Sequence, residues 1–215
     1  MRLLALDGSL ARASVALWVD GSVVAQRAVA GERMQPTALP PMAEDVLRGA
    51  GALDAVAVVV GPGGFTGLRT AIALAEGIAL GHGVKVIGVT TGEALAAALP
   101  EELRTNREVW AAVDTKRGKI ALERFAPGSL LTGPLLVVPE AELPRPEGPV
   151  AVVGDAAPLV AARLLAREAD AMLTASRLPD AAAAARVAAL RLTGALPPRD
   201  AAPLYAEPPA VRRPA

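Results

Sequence analysis

The stretch that decides the fold is Val56-Ala57-Val58-Val59-Val60-Gly61-Pro62-Gly63-Gly64-Phe65-Thr66-Gly67-Leu68-Arg69. A continuous apolar run rich in valine is the pattern of a strand covered on both faces. It breaks into four glycines and a proline within seven residues, and a helical pattern over Leu68–Leu80 follows at once. Closely spaced glycines let a backbone approach another group, and a helix N-terminus offers free N–H groups and a positive dipole end. The segment therefore reads either as an anion cradle or as a tight strand-to-helix connection. It is not a P-loop, since no Gly-Lys-Ser/Thr follows, and its glycine spacing is wrong for a dinucleotide fingerprint.

Working outward, Val84–Val89 reads as the next buried strand. Thr90 or Thr91 is then placed to cap a short helix through Leu99, with Glu93 completing a capping box. On the N-terminal side, Leu3–Leu6 reads as a strand running into an Asp7-Gly8-Ser9 turn. Ser14–Val19 and Ser22–Val29 form a hairpin around Asp20-Gly21. Pro40 and Pro41 fit the first turn of a helix continuing to Arg48. The polar stretch Pro100–Arg107 reads as a boundary between lobes. Beyond it come a hairpin (Val109–Asp114, Lys119–Phe125), strands at Leu135–Val138 and Val150–Val153, and helices at Ala156–Glu168 and Ala181–Leu192. Two strand-rich units in series predict a duplicated α/β architecture, with lobes at 1–99 and 100–196 and an extended Pro-rich tail at 197–215.

Composition narrows the chemistry. The 215 residues are 53% hydrophobic, and 22 Lys+Arg balance 22 Asp+Glu. A protein that grips nucleic acid alone carries a basic excess, so stand-alone RNA binding is not expected. There is no cysteine and one histidine, which removes thiolate chemistry and severely limits any histidine-based metal site or triad. Asp7 interrupts the first apolar run, against a secretory signal. Ala71–Leu80 is too short to span a bilayer and carries Glu76. A soluble cytoplasmic protein without membrane contact is expected.

Individual residues leave alternatives open. Asp7, at a strand end, could hold Mg²⁺ through water or position a nucleophile; it could equally be a turn former before Gly8. Asp114 starts a hairpin turn or lends a carboxylate beside Lys116 and Arg117. His82, between glycines, suits the C-terminal end of a helix. Arg69 is unfavourable to the helix dipole at its place in the first turn, which hints at an external partner.

In this order the motifs resemble the TsaB (YeaZ-like) family, relatives of the threonylcarbamoyl transferase TsaD. Gly61–Arg69 is similar to the family's GPGSFTGLR signature, with Gly64 in place of serine. Asp7-Gly8-Ser9, Ser14-Val15-Ala16-Leu17, Ile87-Gly88-Val89-Thr90, Asp114-Thr115-Lys116-Arg117-Gly118 and Pro203-Leu204-Tyr205 support it.

The resemblance implies an actin/hexokinase-like (ribonuclease H-like) fold of two lobes, each a mixed sheet with flanking helices. It implies a non-catalytic scaffold that binds and activates a TsaD-like transferase, beside a TsaE-like ATPase. That complex forms N6-threonylcarbamoyladenosine next to the tRNA anticodon, with tRNA bound only through the complex. The family's helices before and after the glycine loop pair with TsaD or with a second copy of the chain, which points to Leu39, Met42, Arg69, Ile72, Ala73 and Glu76. TsaD binds metal through a His-x-x-x-His pair; Thr91 and Leu95 stand at those places, so no metal, cofactor or catalytic residue is expected. The family often carries a histidine where this chain has Met34-Gln35-Pro36. The alternatives are a stand-alone sugar or acyl kinase using Asp7 and the glycine loop for Mg-ATP, and a metallopeptidase.

Overall fold

The computed structural model describes residues 1–207, and two five-stranded mixed sheets organise them. The first contains β1 (Arg2–Leu10), β2 (Arg12–Val19), β3 (Ser22–Ala30), β4 (Ala55–Gly61) and β5 (Lys85–Thr90), in the order β3-β2-β1-β4-β5. The second contains β6 (Glu108–Asp114), β7 (Lys119–Phe125), β8 (Leu136–Pro139), β9 (Val150–Val153) and β10 (Ala171–Leu173), in the order β8-β7-β6-β9-β10. In each sheet three antiparallel strands are followed by two parallel ones. The same order with the same directions makes the second lobe a topological copy of the first. This is the duplicated actin/hexokinase-like, ribonuclease H-like architecture.

Helices cover the sheets according to the period of the strands. Even residues of β1 (Leu4, Leu6) and Val56 and Val58 of β4 pack under α1 (Gln35–Leu47) and α2 (Phe65–His82). Odd residues (Leu3, Ala5, Ala57, Val59) meet the last helix, α6 (Ala181–Leu192), whose run of alanines lets it lie close to the sheet. The short helix α3 (Thr91–Ala97) follows β5 but buries Leu95 and Ala96 against Val109, Ala111, Ala151 and Val153 of the second sheet. The lobes thus exchange helices: α3 leaves the first for the second, α6 returns, and the two touch at the crossing. The second lobe also carries α5 (Ala157–Leu165), and α4 (Glu101–Asn106) links the lobes.

Much of the local reading holds. The Asp20-Gly21 turn has φ of 47° and 95°, the two positive values a two-residue hairpin of this kind needs. The Thr90–Glu93 capping box is present in full. His82 ends α2, and Gly83 closes it in the left-handed conformation.

The structure differs from the sequence pattern at two points and adds two short elements. Helix α1 begins at Gln35, so Pro40 and Pro41 lie inside it; both are exposed, where solvent reaches the carbonyls they leave unpaired. Strand β1 does not end at Asp7 but runs on to Leu10, with an irregular register between Asp7 and Leu10 where Asp7 Oδ1 takes both Ser9 donors. The polar stretch after Pro100 is helix α4, and β10 is a strand too short to show a period. The Pro-rich segment has neither helix nor strand through Glu207 and lies against the first sheet; the rest of the predicted tail, 208–215, falls outside the described residues.

Candidate functional site: the glycine loop and the cleft between the lobes

The C-terminal ends of β1 and β4 in one lobe face those of β6 and β9 in the other, and a cavity of about 460 Å³ lies between them. Gly8, Ser9 and Pro62–Gly67 line one side, Asp114–Arg117 and Asp155 the other, and Tyr205–Glu207 border it as well.

The glycine loop is filled by the chain itself. A Cβ on Gly63 would come within 2.3 Å of Ser9 O, and one on Gly67 within 2.1 Å of Gly8 O. One on Gly61, whose φ is 114°, would come within 2.4 Å of Leu204 O. Ser9 O also accepts the Gly64 N–H at 2.7 Å. The glycines fasten β1, α2 and the C-terminal segment together at backbone contact, so of the two readings of this loop the close-packing one describes it. Gly64 is the exception: its nearest neighbour would be 3.7 Å from a Cβ, and its φ is −67°. The position where the family signature has serine is the one with room for a side chain.

Asp7 is fully buried. Its Oδ1 accepts from Ser9 N (2.9 Å) and Ser9 Oγ (2.7 Å), while Oδ2 has no hydrogen-bond partner. Burial pushes its carboxyl up to about 6, against the Ser9 hydrogen bonds and the Arg12 charge. In the other lobe Asp114 Oδ1 accepts from Lys116 N (2.7 Å), which makes it the turn former of the hairpin. Its own N–H donates to Asp155 Oδ1 (2.9 Å), and burial raises the Asp155 carboxyl above its ordinary value.

The predicted partner-facing residues divide. Leu39 and Ile72 sit in the core under the first sheet, so neither presents to a partner; this corrects their outward assignment. Met42 is half-buried, and Arg69, Ala73 and Glu76 are exposed on the outer side. The Arg69 guanidinium lies 3.8 Å over the Phe65 ring and donates from Nε to the Tyr205 hydroxyl at 2.9 Å, so an intramolecular partner answers its unfavourable place on the helix. The two positions set against the TsaD histidines are occupied structurally. Thr91 Oγ1 donates to Pro62 O (2.7 Å), and Leu95 is in the core. Among the described residues, no group of three or more His, Cys, Asp or Glu side chains is arranged to hold a metal ion.

Sequence reasoning missed a buried polar cluster at the helix crossing. Glu93 Oε1 accepts from Arg191 Nη2 (2.7 Å), joining α3 to α6. Glu123 of β7 accepts from Gly92 N (2.9 Å) and is itself buried. Burial, with the Glu93 charge adding, pushes Glu123 up to about 7 against hydrogen bonds from Thr90, Gly92 and Thr132. Nothing in a strand reading Lys-Ile-Ala-Leu-Glu-Arg-Phe marks Glu123 as buried; α3, arriving from the other lobe, covers it.

A family model described as "TsaD: tRNA N6-adenosine threonylcarbamoyltransferase" matches residues 33–129. The chain is 37% identical over 124 residues to the tRNA threonylcarbamoyladenosine biosynthesis protein TsaB of Escherichia coli (strain K12), a match covering 56% of this chain and 53% of that protein. The protein of the same name from Haemophilus influenzae is 34% identical over 124 residues, covering 56% and 52%. The chain spans about half the length of these curated relatives. A solved structure of YeaZ from Pseudomonas aeruginosa superposes with a TM-score of 0.78 at 27% identity, covering 95% of this chain and 100% of that one. A second, an uncharacterized protein with similarity to peptidase YeaZ from the same organism, gives 0.80 at 28% identity over 96% and 99%. The chain is TsaB/YeaZ-like. In this TsaB/YeaZ-like chain the glycine loop is a packed junction that borders an open cavity between the lobes. No helix among the described residues is long and apolar enough to cross a membrane.

Proposed function

We propose that this TsaB/YeaZ-like chain serves in the cytoplasm as a non-catalytic subunit in forming N6-threonylcarbamoyladenosine in tRNA, binding and activating a TsaD-like transferase with a TsaE-like ATPase. The observation that carries the reading is the outer side of α2 beside α1. Arg69, Ala73, Glu76 and Gly77 are exposed there, Gly77 has open space around it, and Leu80 is 85% exposed. Small residues with a protruding leucine let another helix approach closely, as in ridges-into-grooves packing. A TsaD-like subunit is the proposed occupant, with a second copy of the chain as its substitute.

The kinase reading is poorly supported, because the loop that would cradle phosphate is in backbone contact with Gly8, Ser9 and Leu204. Reconstitution tests the proposal. With threonylcarbamoyl-adenylate and tRNA, this chain alone should give no modified nucleoside. Adding it to the transferase and ATPase should raise the yield. Equal yield with and without the chain, or turnover by the chain alone, would overturn it.

A further inference from the structure

The segment after α6 is seated on the first lobe by a built set of contacts. Gly88 N donates to Arg199 O (3.0 Å) and Leu204 N to Val60 O (2.7 Å). The first sheet makes room for it: a Cβ on Gly88 would lie 1.9 Å from Asp200 O, and one on Gly61 would meet Leu204 O. Tyr205 then stacks on Phe65, with ring centroids 5.7 Å apart, and its hydroxyl takes the Arg69 hydrogen bond. The segment does not stop there. Glu207 reaches the second lobe, where its carboxylate accepts from Lys119 Nζ at 2.7 Å and lies 3.5 Å from Arg117 Nη1. These cations hold the Glu207 carboxyl below its ordinary value.

Tyr205, Ala206 and Glu207 border the interlobe cavity, whereas neither α3 nor α6 contributes to its lining. Besides the buried helix crossing, the lobes meet at the cavity, where Leu10 packs on Val113 and Ala121 and this segment spans from one lobe to the other. An ion pair with exposed cations adds little to global stability. Placed at the cavity, however, it only has to bias a choice between lobe orientations, and a small free energy shifts such a population.

We propose that Pro197–Glu207 is an intrachain clasp that fixes the angle between the two lobes, with Glu207 on Lys119 and Arg117 as its releasable latch. The inference goes beyond the subunit role proposed above and does not depend on it.

The chain has no cysteine, so a spin-label pair can be placed without background. Ser22→Cys on β3 and Ala162→Cys on α5 are exposed positions in different lobes. Double electron–electron resonance on the full chain should give one narrow distance. Glu207→Lys should broaden it and shift it to longer distance, and adding Lys119→Glu should restore the narrow distribution. Raising the salt from 20 mM to 1 M on the otherwise unaltered labelled chain, which shortens the screening length to about 3 Å, should broaden it likewise. A Glu207→Lys distribution that superimposes on the parent overturns the proposal, as does a charge swap that stays broad. If Glu207→Lys fails to fold, the salt titration decides: an unchanged distribution overturns the clasp.

Discussion

At the scale of single residues, the glycine loop shows how one composition holds two different requirements. Gly63 has Ser9 O where a side chain would begin, and that neighbour is backbone in a central strand. Gly63→Ala must therefore move β1 or the loop, and a cost of roughly 2–4 kcal/mol is expected, in the range of strained or overpacked core changes. Gly64, one residue on, is the N-cap of α2, with extended backbone and no side-chain cap. Gly64→Ser supplies a hydroxyl to an unpaired N–H of the first turn, a gain of about a few tenths of a kcal/mol over glycine. Urea unfolding of the two variants checks the contrast. A Gly63→Ala variant as stable as the parent would refute the close-packing account of the loop. Both positions were legible as glycine-rich turn, because that signal is local. Which glycine is indispensable was not, because it depends on Gly8, Ser9 and Leu204, far away in sequence.

At the scale of elements, α2 was found from its pattern but its orientation was not. Alanine, leucine and isoleucine go almost all round the helix, so two faces could each have served as the buried one. The strands it covers decide: Ala71, Ile72, Ala75 and Ala79 face the sheet, and Ala73, Glu76 and Leu80 face out. Ile72→Ala should cost about 2–4 kcal/mol through lost burial and a cavity. Ala73→Arg should change stability by no more than about 0.5 kcal/mol while weakening capture of a TsaD-like partner. Thermal melts and a pull-down separate the two readouts. A large loss of stability in Ala73→Arg would show the helix rotated from the orientation described here. Elements α4 and β10 escaped the sequence for a different reason. Six and three residues are too few to display a period, and their neighbours rather than their own pattern hold them in place.

At the scale of the whole molecule, the exchange of α3 and α6 between lobes buries charge that neither lobe would bury alone, and that sets the pH at which the fold is most stable. Asp7 binds its proton more tightly folded than unfolded, its carboxyl rising from 3.8 to about 6, and Glu123 does likewise, from 4.5 to about 7. For each, the folded state holds more protons than the unfolded one between those values. Stability therefore falls as pH rises through that window and levels off above about 7. Each rise corresponds to roughly 3 kcal/mol. The Glu207 and Asp20 carboxyls are lowered by their cationic partners, so what they contribute is present above their ordinary values and is lost on further acidification. The opposing trends cross near the ordinary carboxylate values, so the maximum falls at about pH 4 rather than at neutrality. Asp7→Asn and Glu123→Gln should each raise the melting temperature at pH 8, by about 6–12 °C at most for a chain of this size, and should gain little near pH 4. Calorimetry across pH 4–8 measures both. If parent and variants trace parallel profiles between pH 5 and 8, the buried carboxylates are not what tilts the curve. A tilt that disappears only in Glu123→Gln would assign it to the helix crossing instead of to Asp7 within β1.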